Sequence, residues 1–301
     1  NIMKIIITGA TGFVGKNLTQ YLTTKSDTVI PLSIRNGDYQ LDNTADAIIH
    51  LAGKAHDTKN SSDDNEYYRV NTDLTIALFD KFLQSDIKDF IFFSSVKAAA
   101  DTVEGVLTEE VEPNPKTPYG DSKIKAEQYL LSQEFPSGKR VIIIRPCMIH
   151  GKGNKGNLNL LYKVVKLGIP WILASYDNRR SFISIDNLNF AIHALLHNSQ
   201  VASGVYQVAD DSAISTNQLI TIIAKATNKK PKLVRIPKVM INKLADIGDK
   251  FNLPLNSERL QKLTESYVVS NAKIKQALNI DSLPVSAEQG LLQTIKSFQT
   301  D

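Results

Sequence analysis

The sequence predicts an α/β protein: a doubly wound parallel sheet with a smaller C-terminal substrate-binding portion. Three observations point there. Through the first half of the 301 residues, short apolar runs alternate with segments whose apolar residues recur at helical spacing, as in parallel strands joined by crossover helices. A glycine-rich turn, Gly9-Ala-Thr-Gly12-Phe-Val-Gly15, separates the first such run from the first such segment. After Arg145-Pro146 the texture changes to a Gly, Asn and Lys-rich loop, Gly151 to Asn157, followed by shorter mixed elements.

Lys4 to Thr8 is a short apolar run of strand type, and Lys16 to Leu22 continues it as a helix with Val14, Leu18, Tyr21 and Leu22 on one face. Strand, glycine turn and helix together form a cradle of Rossmann type. The glycines allow a tight turn, close approach of backbone to a pyrophosphate, and close packing of helix on strand, while the helix N-terminus attracts the phosphate charge. Further strands are expected at Thr28 to Leu32, Ala47 to Leu51, Phe90 to Ser94 and Arg140 to Arg145. Helices are expected at Glu66 to Leu83, where Val70, Leu74, Ala77 and Leu78 share a face, and from Tyr119 to about Ser132, where Ala126, Tyr129 and Leu130 face the sheet. Each crossover should be right-handed. Between Leu32 and Ala47 there is room for a short strand around Tyr39 to Leu41 but hardly for a packed helix, so that crossover is expected to be trimmed. Later helices are signalled at Ser215 to Thr227, at Lys238 to Lys250, and at Ser286 to Phe298, whose Ser286 and Gln289 have capping-box spacing. Residues 1–150 are expected to bind a dinucleotide and residues 151–301 mainly the substrate, with some later segments returning to the sheet.

Composition narrows the function classes. Charged residues make up 22% and the formal net charge is only +4, which argues against a nucleic-acid binder built on a basic stripe. No run of about 18 apolar residues occurs and the opening residues lack the regions of a signal peptide, so no membrane partner and a cytoplasmic location are expected. The single cysteine, Cys147, cannot form an internal disulfide. Cys147 and His150 have a ligand-like spacing, but no second pair completes a four-ligand set, and no metal site is expected. His50 reads as a buried strand residue.

The chemistry is carried by Tyr119-Gly-Asp-Ser-Lys123. On a helix, positions i and i+4 share a face, which sets the Tyr119 phenol beside the Lys123 ammonium. A cation stabilises the phenolate and should lower its pKa from about 10 toward neutrality, where a general acid or base works best. Alone, such a pair is most often solvated surface. With the glycine turn upstream it points to hydride chemistry on a nicotinamide dinucleotide.

Seven segments together resemble the extended short-chain dehydrogenases/reductases, specifically their nucleotide-sugar epimerase, dehydratase and reductase group: Thr8 to Gly15, His50-Leu-Ala-Gly53, Asn71 in Val-Asn-Thr, Phe93-Ser-Ser95, Tyr119 to Lys123, Arg145-Pro146, and Arg180-Ser-Phe-Ile-Ser-Ile185. The resemblance spans almost the whole chain. It implies Tyr119 as proton donor or acceptor, Lys123 as its activator and a ligand of the nicotinamide ribose, and Ser95 as the hydroxyl that orients a sugar carbonyl. Ser94 is the neighbouring alternative, pointing to the opposite face. It also implies a cofactor cradle of Gly9, Thr11, Gly12, Phe13, Val14 and Gly15, with Leu51, Ala52, Gly53, Asn71 and Pro146. At the end of the second strand, relatives that prefer NAD(H) place an acid; here Ser33 stands at that position with Arg35 two residues on, which suits the 2′-phosphate of NADP(H). Asp42 is the counterpart of an acid that meets the adenine.

For the substrate, Arg180 matches an arginine that grips the diphosphate of a nucleoside-diphosphate sugar, with Arg179 the adjacent alternative. Lys97, Asn157 and Lys155 are further candidate contacts. The chain departs from many epimerases in Ser95-Val-Lys-Ala-Ala-Ala100, which lacks the usual Tyr-Gly pair, and in Asn187, where an Asp is frequent. Ser95-Val-Lys97, Val208-Ala-Asp-Asp211 and Ser215-Thr216 look most like bacterial reductases and epimerases of surface-polysaccharide biosynthesis, whose substrates include UDP-linked 4-keto-6-deoxy-N-acetylhexosamines. The implied activity is NADP(H)-dependent reduction of such a 4-keto sugar. The alternatives are an NAD-dependent UDP-sugar 4-epimerase and a non-catalytic NADP(H)-sensing protein. No dehydratase-type Thr-Asp-Glu triad follows Ser95, and a homodimer is implied by family habit.

Overall fold

Ile5, Ile6 and Ile7 form the inner strand of a six-stranded sheet, because a parallel strand covered on both faces needs an unbroken apolar run rather than alternation. The computed structural model describes residues 1–55 and 63–300. In chain order the elements are β1 (Lys4–Thr8), α1 (Phe13–Thr24), β2 (Thr28–Leu32), β3 (Ala47–His50), α2 (Asp64–Tyr67), a π-helical turn (Tyr68–Asp73), α3 (Leu74–Leu83), β4 (Asp89–Phe93), a 3-10 turn (Val96–Ala98), β5 (Val106–Leu107), α4 (Pro118–Ser132), β6 (Arg140–Pro146), β7 (Met148–His150), α5 (Asn157–Lys166), β8 (Phe182–Ser184), α6 (Ile185–His197), β9 (Gly204–Val208), α7 (Thr216–Ala226), α8 (Lys238–Phe251), α9 (Ser257–Thr264), β10 (Val268–Val269), α10 (Ala272–Leu278) and α11 (Ala287–Ser297).

The central sheet runs β2-β1-β3-β4-β6-β9, all parallel. From β1 the chain moves outward to β2 and then crosses to β3 on the other side of β1. That reversal opens a crevice at the carboxyl ends of β1 and β3, where doubly wound sheets bind ligands. Pleating divides the core into two layers. Ile5, Ile7, Ile49 and Ile142 pack with Leu18 and Leu22 of α1 and Leu188 and Leu195 of α6. Ile6, Ile48, Phe90 and Phe92 pack with Phe79 and Phe82 of α3 and Leu130 of α4. A third cluster, including Tyr162, Phe182, Ile220 and Leu291, joins α5, β8, α7 and α11.

Two features differ from the sequence expectation. No strand forms at residues 39–41: Tyr39 is buried in the core with Ile34 and Ala45, and Lys81 Nζ lies 4.9 Å from its ring, so the segment packs instead of pairing. The sixth strand of the sheet, β9, comes from the C-terminal half, where some segments are expected to return; Gln207 interrupts its short apolar run. The reciprocal capping box is completed at Ser215 and Gln218, while Ser286 accepts one bond from the Gln289 N–H. Among the described residues no further strand lies beside β2, which makes it an edge strand, and it carries the exposed Pro31 at its penultimate position. No helix among the described residues is long and apolar enough to cross a membrane.

Candidate active site

The glycine turn closes the crevice at the end of β1. Gly9 has φ of 68°, and a Cβ there would meet the Ala52 nitrogen at 2.8 Å; one on Gly15 would overlap the Gly9 carbonyl. Both contacts need the bare backbone. α1 then begins without an acidic residue in its first turn and without a side-chain cap, leaving its positive end available to an anion. A cleft of about 1060 Å³ runs along this turn, past Ser33 and Arg35 beyond β2 and past Leu51, Ala52 and Gly53 beyond β3. Thr11 and Gly12 line it, and Gly15 is buried behind them. Half-buried Phe13 carries its ring beneath Gly151 and Gly153, so the glycine loop expected to serve the substrate lies against the nucleotide turn. Half-buried Val14 packs into the core behind the turn. Arg69, exposed on the π-helical turn, also lines the cleft; it escaped the sequence reading because it stands in no recognised motif. Glu66 lines the same wall, with its carboxylate paired to Lys54 at 3.1 Å. These residues fit a dinucleotide.

β4 delivers Ser94 and Ser95 to opposite sides. Ser94 lies beside Glu127 of α4, whereas the Ser95 hydroxyl is hydrogen-bonded to the Tyr119 phenol and accepts from the Lys97 N–H at 3.1 Å. Thr117 caps α4 by accepting from the Gly120 N–H, and Pro118 occupies the first turn, so the helix starts one residue before Tyr119. Tyr119 is half-buried, with the Tyr67 ring edge-on at 6.2 Å. Burial raises the Tyr119 pKa, the Ser95 hydrogen bond opposes the rise and Tyr67 adds to it. The expected lowering by Lys123 is thereby overturned. Burial pushes the Lys123 ammonium down to about 8, partly offset by Glu127, and its Nζ donates to the Phe93 carbonyl at 3.1 Å. The phenol is therefore protonated at neutral pH, and its neighbour holds a labile proton.

Asn71, fully buried in the π-helical turn, accepts from the Lys54 N–H at 2.8 Å and donates to Ser122 Oγ at 3.1 Å. A Cβ on Gly53 would meet Asn71 Oδ1 at 2.9 Å and Lys123 Nζ at 3.1 Å, so Gly53, Asn71 and Lys123 converge. Behind them runs a chain of hydrogen bonds whose direction can be deduced. Thr75 Oγ1 donates to the Asn71 carbonyl at 2.8 Å, leaving its oxygen to accept from His50 Nε2 at 2.8 Å. His50 Nδ1 must then accept from Thr8 Oγ1 at 2.6 Å, and Thr8 accepts from the Ala52 N–H at 3.1 Å. The imidazole is neutral, its pKa pushed down to about 3 by burial and by the Lys123 charge.

Glu127, one turn beyond Lys123, forms a buried bidentate pair with Arg145: Nε to Oε1 at 2.8 Å and Nη2 to Oε2 at 3.0 Å. Pro146 follows at the carboxyl end of β6, paired with Val208 of β9. Burial lowers the Lys97 pKa, and Arg180 lies near enough for its charge to add to that lowering. Arg180 Nε donates to the Glu265 carbonyl at 3.2 Å, its Nη2 donates to the Lys262 carbonyl, and the Glu265 carboxylate is 3.6 Å away, so these donors are already engaged. Lys97 Nζ donates to the Asp101 carbonyl at 3.1 Å and sits 4.6 Å from the Tyr267 ring. Arg179 is exposed, and Asn157 is exposed at the first turn of α5. Asp42 is a correction. Its carboxylate pairs with Lys4 Nζ at 2.7 Å and accepts from Thr44, at the amino end of β1 and so on the edge of the sheet opposite the glycine turn. With no third strand to carry it forward, Asp42 does not reach the crevice.

Residues 5–209 match the NAD dependent epimerase/dehydratase family. A UDP-glucose 4-epimerase of Vibrio cholerae is 31% identical over 320 residues, spanning 98% of this chain and 95% of the relative. A GDP-6-deoxy-D-mannose reductase of Pseudomonas aeruginosa is 26% identical over 257 residues, spanning 79% and 84%. The structure of RMD from Pseudomonas aeruginosa complexed with NADPH superposes with a TM-score of 0.72 at 20% identity, covering 99% of this chain and 100% of that one. The fold is thus that of the extended short-chain dehydrogenases/reductases, and the cofactor is of the NAD(P) type. The chain belongs to the NAD dependent epimerase/dehydratase family and is a nucleotide-sugar enzyme of its epimerase and reductase kind.

Proposed function

We propose that the protein reduces the C4 ketone of a UDP-linked 4-keto-6-deoxy-N-acetylhexosamine with NADPH. The observation that carries this is the pairing of Ser33 and Arg35 on the wall of the nucleotide cleft, in a stretch without a carboxylate from residue 28 to 37. An acid there would repel a 2′-phosphate, whereas a hydroxyl and a guanidinium receive it. Reduced nicotinamide supplies a hydride when bound. The glycine turn and the α1 N-terminus hold the pyrophosphate, Asn71 and Gly53 shape the nicotinamide end, and Lys123 meets the ribose. Tyr119, kept protonated by burial, donates its proton to the carbonyl oxygen as charge develops there. Ser95 donates a hydrogen bond to the same oxygen. Lys123, with its ammonium pushed down to about 8, resupplies the phenol. In this reading the charges of Lys97 and Arg180 serve the diphosphate, and the portion from residue 151 onward, with Asn157, serves the sugar.

A second reading, a UDP-sugar 4-epimerase, is favoured by the Vibrio cholerae relative. The same three side chains would first accept a proton and later return it. Incubation with a UDP-linked 4-keto sugar and NADPH separates the two: the reductase consumes NADPH in proportion to product. Firmly bound NAD released on denaturation, with interconversion of UDP-hexosamines and no net change in nicotinamide absorbance, selects the epimerase. Failure of both, with tight NADPH binding, leaves the sensing protein, which has no use for the Ser95 to Tyr119 hydrogen bond.

A further inference from the structure

His193 and His197 stand one helical turn apart near the end of α6, and both direct Nε2 at Asp27, the residue before β2. Asp27 Oδ2 lies 3.0 Å from His197 Nε2 and 3.8 Å from His193 Nε2, and the three ligand-type atoms all fall within 4.8 Å of one another. The imidazoles lie 4.3 Å apart, inclined at 35°. The Asp27 side chain is fully buried, with Oδ1 fixed by the Met3 N–H at 2.9 Å, while each histidine is about a quarter exposed. This cluster sits at the amino edge of β1 and β2, across the sheet from Tyr119, and the chemistry proposed above does not use it.

We infer that Asp27, His193 and His197 form a binding site for a zinc-type divalent cation. Tetrahedral zinc, with bonds of about 2.0–2.2 Å to nitrogen and oxygen, sets its ligand atoms roughly 3.3–3.5 Å apart. The two separations from Asp27, 3.0 and 3.8 Å, bracket that value, and the two imidazole nitrogens lie within 4.8 Å of each other. Two histidines at i and i+4 with one carboxylate form a recurrent zinc donor set, and the exposed edge of the rings leaves a fourth position to water. The carboxylate is anchored on its other oxygen, as ligating groups usually are. A simple ion pair accounts less well for the cluster. His197 alone is within hydrogen-bond reach of the carboxylate, at 3.0 Å, so an ion pair leaves His193, turned toward the same oxygen at 3.8 Å, without a role. The opposing charge, Lys25, lies 5.5 Å from the Tyr21 ring, and that ring meets His193 edge-on at 6.0 Å. A bound cation would tie the end of α6 to the start of β2.

The full chain, stripped with chelator, is titrated with Zn²⁺ by calorimetry and with Co²⁺ by visible absorption. One equivalent should bind, the melting temperature should rise with metal, and imidazole NMR signals of two of the five histidines should respond. His193→Gln and His197→Gln should each weaken Zn²⁺ binding at least tenfold and abolish the thermal shift. The absence of stoichiometric binding, or binding undiminished in the double variant, overturns the site. If a variant fails to fold, the wild-type histidine signals decide: response of histidines other than these two, or of none, overturns it as well.

Discussion

His50 Nδ1 and Thr8 Oγ1 meet at 2.6 Å in the protein interior, and through them the nucleotide turn is fastened to Asn71 and the helix that carries Tyr119. The unfolded chain takes up a proton on this imidazole near pH 6.5, the folded chain only near about 3. Stability is therefore fully present above 6.5 and is lost as pH falls from there toward 3. The gap of about 3.5 pH units corresponds to about 5 kcal/mol at its acid end. His150, held down to about 4 by burial, acts in the same sense. Asp210, raised to about 6 by burial, acts oppositely: its contribution is present below 3.8 and lost as pH rises through 6. Thermal melts from pH 7 to pH 4 should show a net fall, and His50→Gln should flatten it. An unchanged slope would show that this imidazole is not the titrating group.

Tyr119→Phe removes the proton donor while keeping the ring against Tyr67. Turnover should fall by about 10²–10⁴-fold, the usual worth of a general acid, with cofactor affinity nearly intact. Steady-state rates alongside nucleotide titration check this, and near-normal turnover would remove the phenol from the reaction.

Arg35→Ala should weaken NADPH about tenfold or more and NADH hardly at all, since only the former carries the 2′-phosphate that a charge-assisted pair would hold. Asp42→Ala is the companion variant: its carboxylate lies beside Lys4 and away from the crevice, so both affinities should stay within about twofold. Fluorescence titration of each variant with each nucleotide reads both outcomes.

Gly53→Ala places a methyl group 2.9 Å from Asn71 Oδ1 and 3.1 Å from Lys123 Nζ. Lys123 should shift, and the cofactor KM should rise well before the melting temperature falls. A loss of stability with unchanged KM would mean that the backbone, rather than the ammonium, gives way.

Arg145→Met strips the counter-ion from a Glu127 carboxylate that is 1% exposed, at an expected cost of about 3–5 kcal/mol. Adding Glu127→Leu should restore much of that loss, because the uncompensated charge disappears with it. Urea denaturation of the single and double variants gives both numbers.

The cradle was legible because its chemistry is local: strand, glycine turn and helix are contiguous, and Gly9 and Gly15 sit where a side chain has no room. Tyr119 and Lys123 were legible by helical spacing, and Ser95 by its place at a strand end. What spacing cannot convey is environment. It suggested a phenol acidified by a neighbouring cation, but burial raises that phenol and lowers Lys123 instead. Glu127 went unremarked because its partner, Arg145, arrives from another element. Asp42 was placed by counting past a third strand that the 14 residues between β2 and β3 do not form. His193 and His197, at i and i+4, went unremarked because Asp27 meets them only through the tertiary fold.

The missing third strand has a consequence for how copies of the protein behave toward one another. Stopping at β2 exposes an unpaired backbone ladder, the kind of border to which a foreign strand can add. Pro31 presents no N–H there, so an incoming chain finds an interrupted template. One residue thus serves as a guard against fibre-like stacking, which lets the fold economise on a strand without becoming sticky.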